Sequence, residues 1–210
     1  GMFLYQDGEA PTIVKRRYVE MHPFQKLFEV YEMDDLAYKP TQSTALCDKL
    51  EEILPDYDVV IVADYGHGML GPDEVDLLCS KARFLAINTQ VNAGNLGYNT
   101  VSKYRRSDFI CVSENEIRLE VRDRRRGLRD IVAEVGDRLA CGRMIITQGE
   151  QGSLCYSKDE GFSEIPALAA RVVDRIGAGD AVFSVAALCV VQNAPMEIVG
   201  FIGNAVGAEA

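Results

Sequence analysis

The chemistry of this chain concentrates in seven residues. Asp174-Arg175-Ile176-Gly177-Ala178-Gly179-Asp180 places a glycine turn between two carboxylates and leads straight into an apolar stretch ending near residue 192. Gly177, Ala178 and Gly179 let the backbone turn tightly and aim several N–H groups outward at a helix N-terminus, an anion site by geometry and by dipole. Asp180 falls in the first turn of that helix, close to where the anion would lie. A carboxylate makes a poor anion ligand. It makes a good general base for a hydroxyl nucleophile beside a hole that holds phosphoryl oxygens. The plain alternative is a strand-to-helix turn that Asp180 helps to cap.

The elements that must position such a turn follow from composition and pattern. With 210 residues, 48% hydrophobic and 26% charged, the chain fits one globular domain, or one with a small appendage, and buries roughly 70% of its unfolded surface. Its 22 basic against 32 acidic residues leave a net charge of −10. Such a surface repels phosphate backbones and anionic lipid, so no nucleic acid and no membrane are expected as partners, and any polyanion must be met in one local pocket. No leader-like or spanning apolar segment is present, which points to the cytoplasm. Gly1 ahead of Met2 reads as the scar of a cleaved tag. The six cysteines are scattered without a C-x-x-C pair. They read as reduced core residues, and with His22 and His67 as the two histidines a zinc cluster has no support.

Residues 12–20 and 25–33 have strand composition around a turn at 21–24, a hairpin that must pack on something else. Helices are expected at 45–54, 73–82 (opened by Pro72), 127–139, 179–192 and 196–208. Strands are expected at 58–63, 84–87, 109–112, 144–146, 153–156 and 171–173. Short apolar strands alternating with amphipathic helices mean an α/β fold with a mostly parallel sheet and helices on both faces. The arginine-rich stretch 118–129 is interleaved with Glu120 and Asp123, which favours a salt-bridged surface over a ligand site.

A second glycine pattern, Gly66-His67-Gly68-Met69-Leu70-Gly71, matches G-x-G-x-x-G and raises NAD as a ligand. Two features weigh against it. Pro72 starts the helix after the third glycine, and the next strand ends in Asn88 where a ribose-binding acid is wanted. No Walker A sequence is present, so a P-loop NTPase is not expected.

Asp174-x-x-Gly177-Ala178-Gly179-Asp180 resembles the C-terminal signature of the PfkB (ribokinase-like) carbohydrate kinases. Thr147-Gln148-Gly149-Glu150-Gln151-Gly152 resembles the family's Thr-x-Gly-x-x-Gly nucleotide segment, and Asn204 matches an asparagine near the adenine. The resemblance implies a ribokinase-like fold that transfers the γ-phosphoryl group of ATP to a sugar or sugar phosphate. It implies Asp180 as catalytic base, Gly177–Gly179 around the phosphates, and Thr147, Gly149, Gly152 and Asn204 near the nucleotide. Asp174 would support a monovalent cation or the turn itself, and Mg²⁺ would be reached through Glu116. Within the family the nearest likeness is the heptose-phosphate kinase domain of ADP-heptose synthesis, on Pro11-Thr12-x-x-Lys15-x-Arg17 and Asp64-Tyr65-Gly66-His67-Gly68. In that likeness residues 1–35 form a β lid and 36–210 the nucleotide-binding core. Lys15 and Arg17 face a phosphorylated sugar, Asp64 accepts from a sugar hydroxyl, and the lid offers a homodimer surface.

Three segments depart from the family pattern. Ser113-x-x-Glu116 stands for Asn-x-x-Glu, Asn88-Thr89-Gln90 for Asp-Pro-Lys, and Ile176 for a small polar residue. The family's early sheet strands and Gly-Gly sugar segment find no counterpart, so a truncated kinase is expected, one that could instead act as a silent nucleotide- or sugar-binding module.

Overall fold

A computed structural model describes residues 13–21, 24–33, 40–92, 95–168 and 177–209, without the side chains of 24–26 and 40–42. The hairpin is present as β1 (Val14–Met21) and β2 (Phe24–Glu32), paired antiparallel with a bulge between Tyr18 and Val19. Because successive side chains alternate across a strand, Lys15 and Arg17 share one face with Tyr31 and Glu29, their cross-strand partners. Tyr18 and Phe28 pair on the opposite face, their rings stacked at 4.4 Å.

Helix α1 (Pro40–Ile53) then leads into a repeated strand–helix alternation. It runs β3 (Val60–Asp64), α2 (Pro72–Lys81), β4 (Leu85–Thr89), β5 (Phe109–Ser113), α3 (Glu114–Val121), α4 (Leu128–Arg138) and β6 (Arg143–Thr147). The chain closes with β7 (Ser153–Ser157), β8 (Gly161–Ile165), α5 (Ala178–Val191) and α6 (Met196–Glu209). One six-stranded sheet has the order β3-β4-β5-β6-β7-β8, parallel from β3 to β6 and antiparallel across β7 and β8. The expected α/β architecture is therefore observed, with a two-stranded antiparallel margin. The strand expected at 171–173 lies outside the described residues.

The register shows why the sheet is covered on both sides. Val62, Ile87, Ile110 and Met144 align across four strands on one face. There they pack beneath α2, α3 and α4, with Val75, Leu78, Ile117, Ile131 and Val135. Ala86, Phe109, Cys111, Ile145 and Cys155 form the other face, under Phe183, Ala186, Val190 and Val199 of α5 and α6. Each large side chain buried there contributes about 1.5–3 kcal/mol. This same burial explains why α5 is apolar almost all round, as a core helix should be.

All six cysteines are free, and four of them are buried. In the arginine-rich stretch, Arg118 pairs with Glu114, Arg126 with Glu134 and Arg129 with Glu164, so these charges serve a paired surface. Among the described residues no helix is long and apolar enough to cross a membrane.

Candidate active site

Parallel strands collect their carboxyl ends on one edge of the sheet, and ligands of open α/β sheets bind outside those ends. Here Asp64 aligns with Thr89, and Ser113 with Thr147, so the turns after β3, β4, β5 and β6 meet along that edge. The head of α5 reaches it from the opposite face. Gly177 is the N-cap with φ at 92°, and its carbonyl accepts from Ala181 N at 2.9 Å. Among the described residues no side chain caps this end, so the first-turn N–H groups remain for a ligand. Among the described residues a Cβ at Gly177 or Gly179 would meet nothing within 4 Å, an open cradle at a helix N-terminus.

Asp180 stands in that first turn with both carboxylate oxygens engaged. Tyr65 Oη donates to Oδ2 at 3.0 Å and Gln90 Nε2 donates to Oδ1 at 2.8 Å. Burial, then the bond to Asp180 and its charge, push the Tyr65 phenol above its ordinary value, so it stays a donor at neutral pH. Neither residue carried a role in the sequence reading, although Tyr65 lies in the quoted Asp64–Gly68 segment and Gln90 in the Asn88–Gln90 departure.

An open cavity of about 840 Å³ lies in front of Asp180. Gly177, Gly179, Asp180, Thr147 and Glu116 line one side of it, and Lys15 and Arg17 come from the hairpin. The hairpin cations are not bare. Glu29 meets Lys15 at 3.3 Å and Arg17 at 3.0 Å, and accepts from Tyr31 Oη at 3.0 Å. Glu116 belongs to the capping box that starts α3. Its Oε2 accepts from Ser113 N at 2.7 Å and Ser113 Oγ at 2.8 Å, while Oε1 accepts from Val91 N at 3.2 Å. The neighbouring Asn88, which also lines the cavity, donates Nδ2 to the Cys111 carbonyl at 2.7 Å, and among the described residues its buried Oδ1 finds no partner.

The other expected residues are placed differently. Asp64 is buried, its Oδ1 accepting from Gly66 N at 2.9 Å and its Oδ2 from Lys103 Nζ at 2.7 Å and Tyr104 Oη at 2.8 Å. It stands behind the cavity wall as the anchor of the loop that carries Tyr65. Burial and Asp64 push the Tyr104 phenol strongly upward, which keeps it a donor. Gly149 opens a single helical turn that Gly152 closes, Gln148 N donating to the Gly152 carbonyl at 2.8 Å. Asn204 accepts from Ser153 Oγ at 3.0 Å and donates to the carbonyls of Ile165 at 3.1 Å and Pro166 at 2.9 Å, tying α6 to β7 and β8. Among the described residues, Gly149, Gly152, Asn204, Ala178 and Asp64 are not part of the cavity wall. Asp174 lies outside the described residues. The Gly66–Gly71 loop ends in the N-cap of α2, where Gly71 N donates to Glu74 Oε2 at 2.9 Å, so its last glycine serves a cap and not a ligand.

Comparison with known proteins decides between the families. The description pfkB family carbohydrate kinase fits residues 2–210. The chain belongs to that family. It is 29% identical over 180 residues to the bifunctional protein HldE of Aeromonas salmonicida, covering 84% of this chain and 36% of that protein. It is 25% identical over 204 residues to the bifunctional protein HldE of Citrifermentans bemidjiense, covering 96% and 41%. The chain thus spans about two fifths of the length of these curated relatives.

Solved structures show the same fold. Escherichia coli phosphofructokinase-2 in complex with potassium superposes with a TM-score of 0.70 at 15% identity, over 88% of this chain and 59% of that one. Burkholderia thailandensis nucleoside kinase in complex with inosine gives 0.68 at 18% identity, over 95% and 62%. Thermotoga maritima ribokinase gives 0.65 at 15% identity, over 95% and 63%.

Proposed function

We propose that this pfkB-family chain carries the phosphoryl-transfer site of an ATP-dependent sugar kinase and that its acceptor is a sugar or a sugar phosphate of the heptose 7-phosphate type. The observation that carries this reading is Asp180, a carboxylate in the first turn of α5 directly behind the Gly177–Gly179 turn, facing the cavity. In a transfer of this kind catalysis is mostly positioning and charge stabilisation. Asp180 takes the proton of the acceptor hydroxyl, and the N–H groups at the head of α5 hold the negative charge that develops on the phosphoryl oxygens. Lys15 and Arg17 face the acceptor and suit an anionic one.

The donor set fits a hard divalent cation. Asp180 and Glu116 line the cavity with carboxylates, and Mg²⁺ needs few protein ligands because it keeps its waters. When bound there, Mg²⁺ would neutralise phosphate charge. The sequence resemblance adds a monovalent cation near Asp174, and potassium in the Escherichia coli neighbour agrees with that. The hairpin acts as a lid in this reading, and its exposed aromatic pair Tyr18 and Phe28 is a surface for a second copy.

A catalytically silent binding module is the second reading. Asp180 with both oxygens held by protein donors favours it, as do Asn88 and Gln90 in place of an acid and a base. The test is ADP release measured with the longest available chain against neutral sugars and sugar phosphates. Turnover with a sugar phosphate supports the kinase, and ATP binding without turnover on any acceptor supports the module.

A further inference from the structure

Around Asp180 the two arms of contact come from two different strand ends, Tyr65 after β3 and Gln90 after β4. We propose that Tyr65 and Gln90 are positioning residues, a clamp that fixes the rotation of the Asp180 carboxylate so that its remaining lone pairs face the acceptor hydroxyl. The inference rests on Asp180 being the base.

The physical need is plain. An aspartate's terminal torsion is broad and roughly two-fold, so an unheld carboxylate at a helix head samples many orientations. One donor on each oxygen removes that freedom. An ionised carboxylate offers about four acceptor positions, so two bonds leave room for a substrate hydroxyl.

The clamp is itself seated by one asparagine loop. Asn92 and Asn95 donate Nδ2 to the Tyr65 carbonyl at 2.8 Å and 2.9 Å, and Asn99 donates to the carbonyls of Asp64 at 2.9 Å and Gln90 at 3.3 Å. A single loop therefore fixes both arms relative to each other. Gly66, with φ at 69°, has to be glycine beside it, because a Cβ there would lie 2.1 Å from Asn95 Nδ2. On the cavity side the Tyr65 ring lies nearly parallel to His67 at 6.3 Å, and His67 meets Tyr31 of the hairpin at 5.7 Å. An aromatic row thus connects the clamp to the cationic face of the hairpin.

Two substitutions remove one donor each while keeping most of the shape, Tyr65→Phe and Gln90→Met. With a turned-over acceptor, each is expected to lower kcat about tenfold or more and to leave KM for ATP and acceptor within about twofold, since a misplaced base costs rate and not binding. Gln90→Lys, which keeps a donor, is expected to retain more activity than Gln90→Met. A second readout needs no turnover. With tyrosine labelled at Cζ, the Tyr65 signal (assigned by its loss in Tyr65→Phe) should titrate at higher pH in the wild type than in Asp180→Asn. Unchanged kcat in both donor-removing variants, or equal Tyr65 titration in wild type and Asp180→Asn, overturns the clamp. A protein that binds ATP and phosphorylates nothing defeats the kinase reading instead, and the tyrosine titration then decides the clamp alone.

Discussion

The two walls of the cavity are built on different principles. On the sheet side, a helix head that no described side chain caps offers backbone N–H groups, and Asp180 follows in the same turn. On the hairpin side, charge comes from long side chains that already satisfy one another, Lys15 and Arg17 both meeting Glu29. The first wall is fixed by a backbone whose donors cannot leave. The second can trade an internal carboxylate for an external anion with little rearrangement. In the proposed reaction one wall would hold the group that is transferred in every turnover, and the other would discriminate among acceptors.

Loading the backbone wall should give the largest effect of the substitutions that separate the two. Gly177→Val places a β-branched residue at φ 92°, and the left-handed region costs a non-glycine residue about 1–2 kcal/mol. Nucleotide affinity measured by calorimetry should fall about tenfold, while binding of a sugar phosphate stays within about twofold. Equal loss of both ligands would erase the distinction. Lys15→Met and Arg17→Met should do the reverse, raising KM for an anionic acceptor about fivefold each and leaving ATP unaffected, the size expected of partly exposed charge-assisted contacts. A neutral sugar should show no such rise.

The smallest effect lies outside the cavity lining, at the start of α3. Gln148 and Arg118 hydrogen bond to Glu114 and hold its carboxyl below the ordinary value of 4.5. A depressed carboxylate stabilises the fold above its unfolded pKa, and that contribution is lost as pH falls through the folded pKa. Between pH 7 and pH 3 the urea midpoint should therefore drop further in wild type than in Glu114→Gln. An equal drop would show that Glu114 is uncoupled from folding.

Local signals made the head of α5 and the hairpin readable in the sequence and left the long-range contacts behind them hidden. The glycine turn, the apolar helix behind it and Asp180 all lie within a few residues, so their chemistry follows from adjacency. The hairpin was equally local, and its strands appear where composition placed them. Asp64 shows where adjacency ends. Read alone it is a free hydroxyl acceptor, yet Lys103 and Tyr104 arrive from some forty residues downstream to occupy it. Gln90 looked like the loss of a cation, and the fold turns it into a donor to a carboxylate ninety positions away. Helix α3 starts at a Ser113-x-x-Glu116 capping box, and the same four residues also resemble the family's Asn-x-x-Glu site motif, so one short pattern carries two meanings. Strand β8 is five residues with two polar ones, and it is held by pairing to β7, which no local pattern announces.

Asp180→Asn tests the central claim most directly, by measuring ATP binding and phosphoryl transfer to an acceptor side by side. The substitution keeps the shape of the turn and removes the base. Transfer should fall by about 10²–10⁴, the range of a positioned general base, while ATP affinity stays within a few-fold of wild type. Transfer at the wild-type rate would contradict Asp180 as the base.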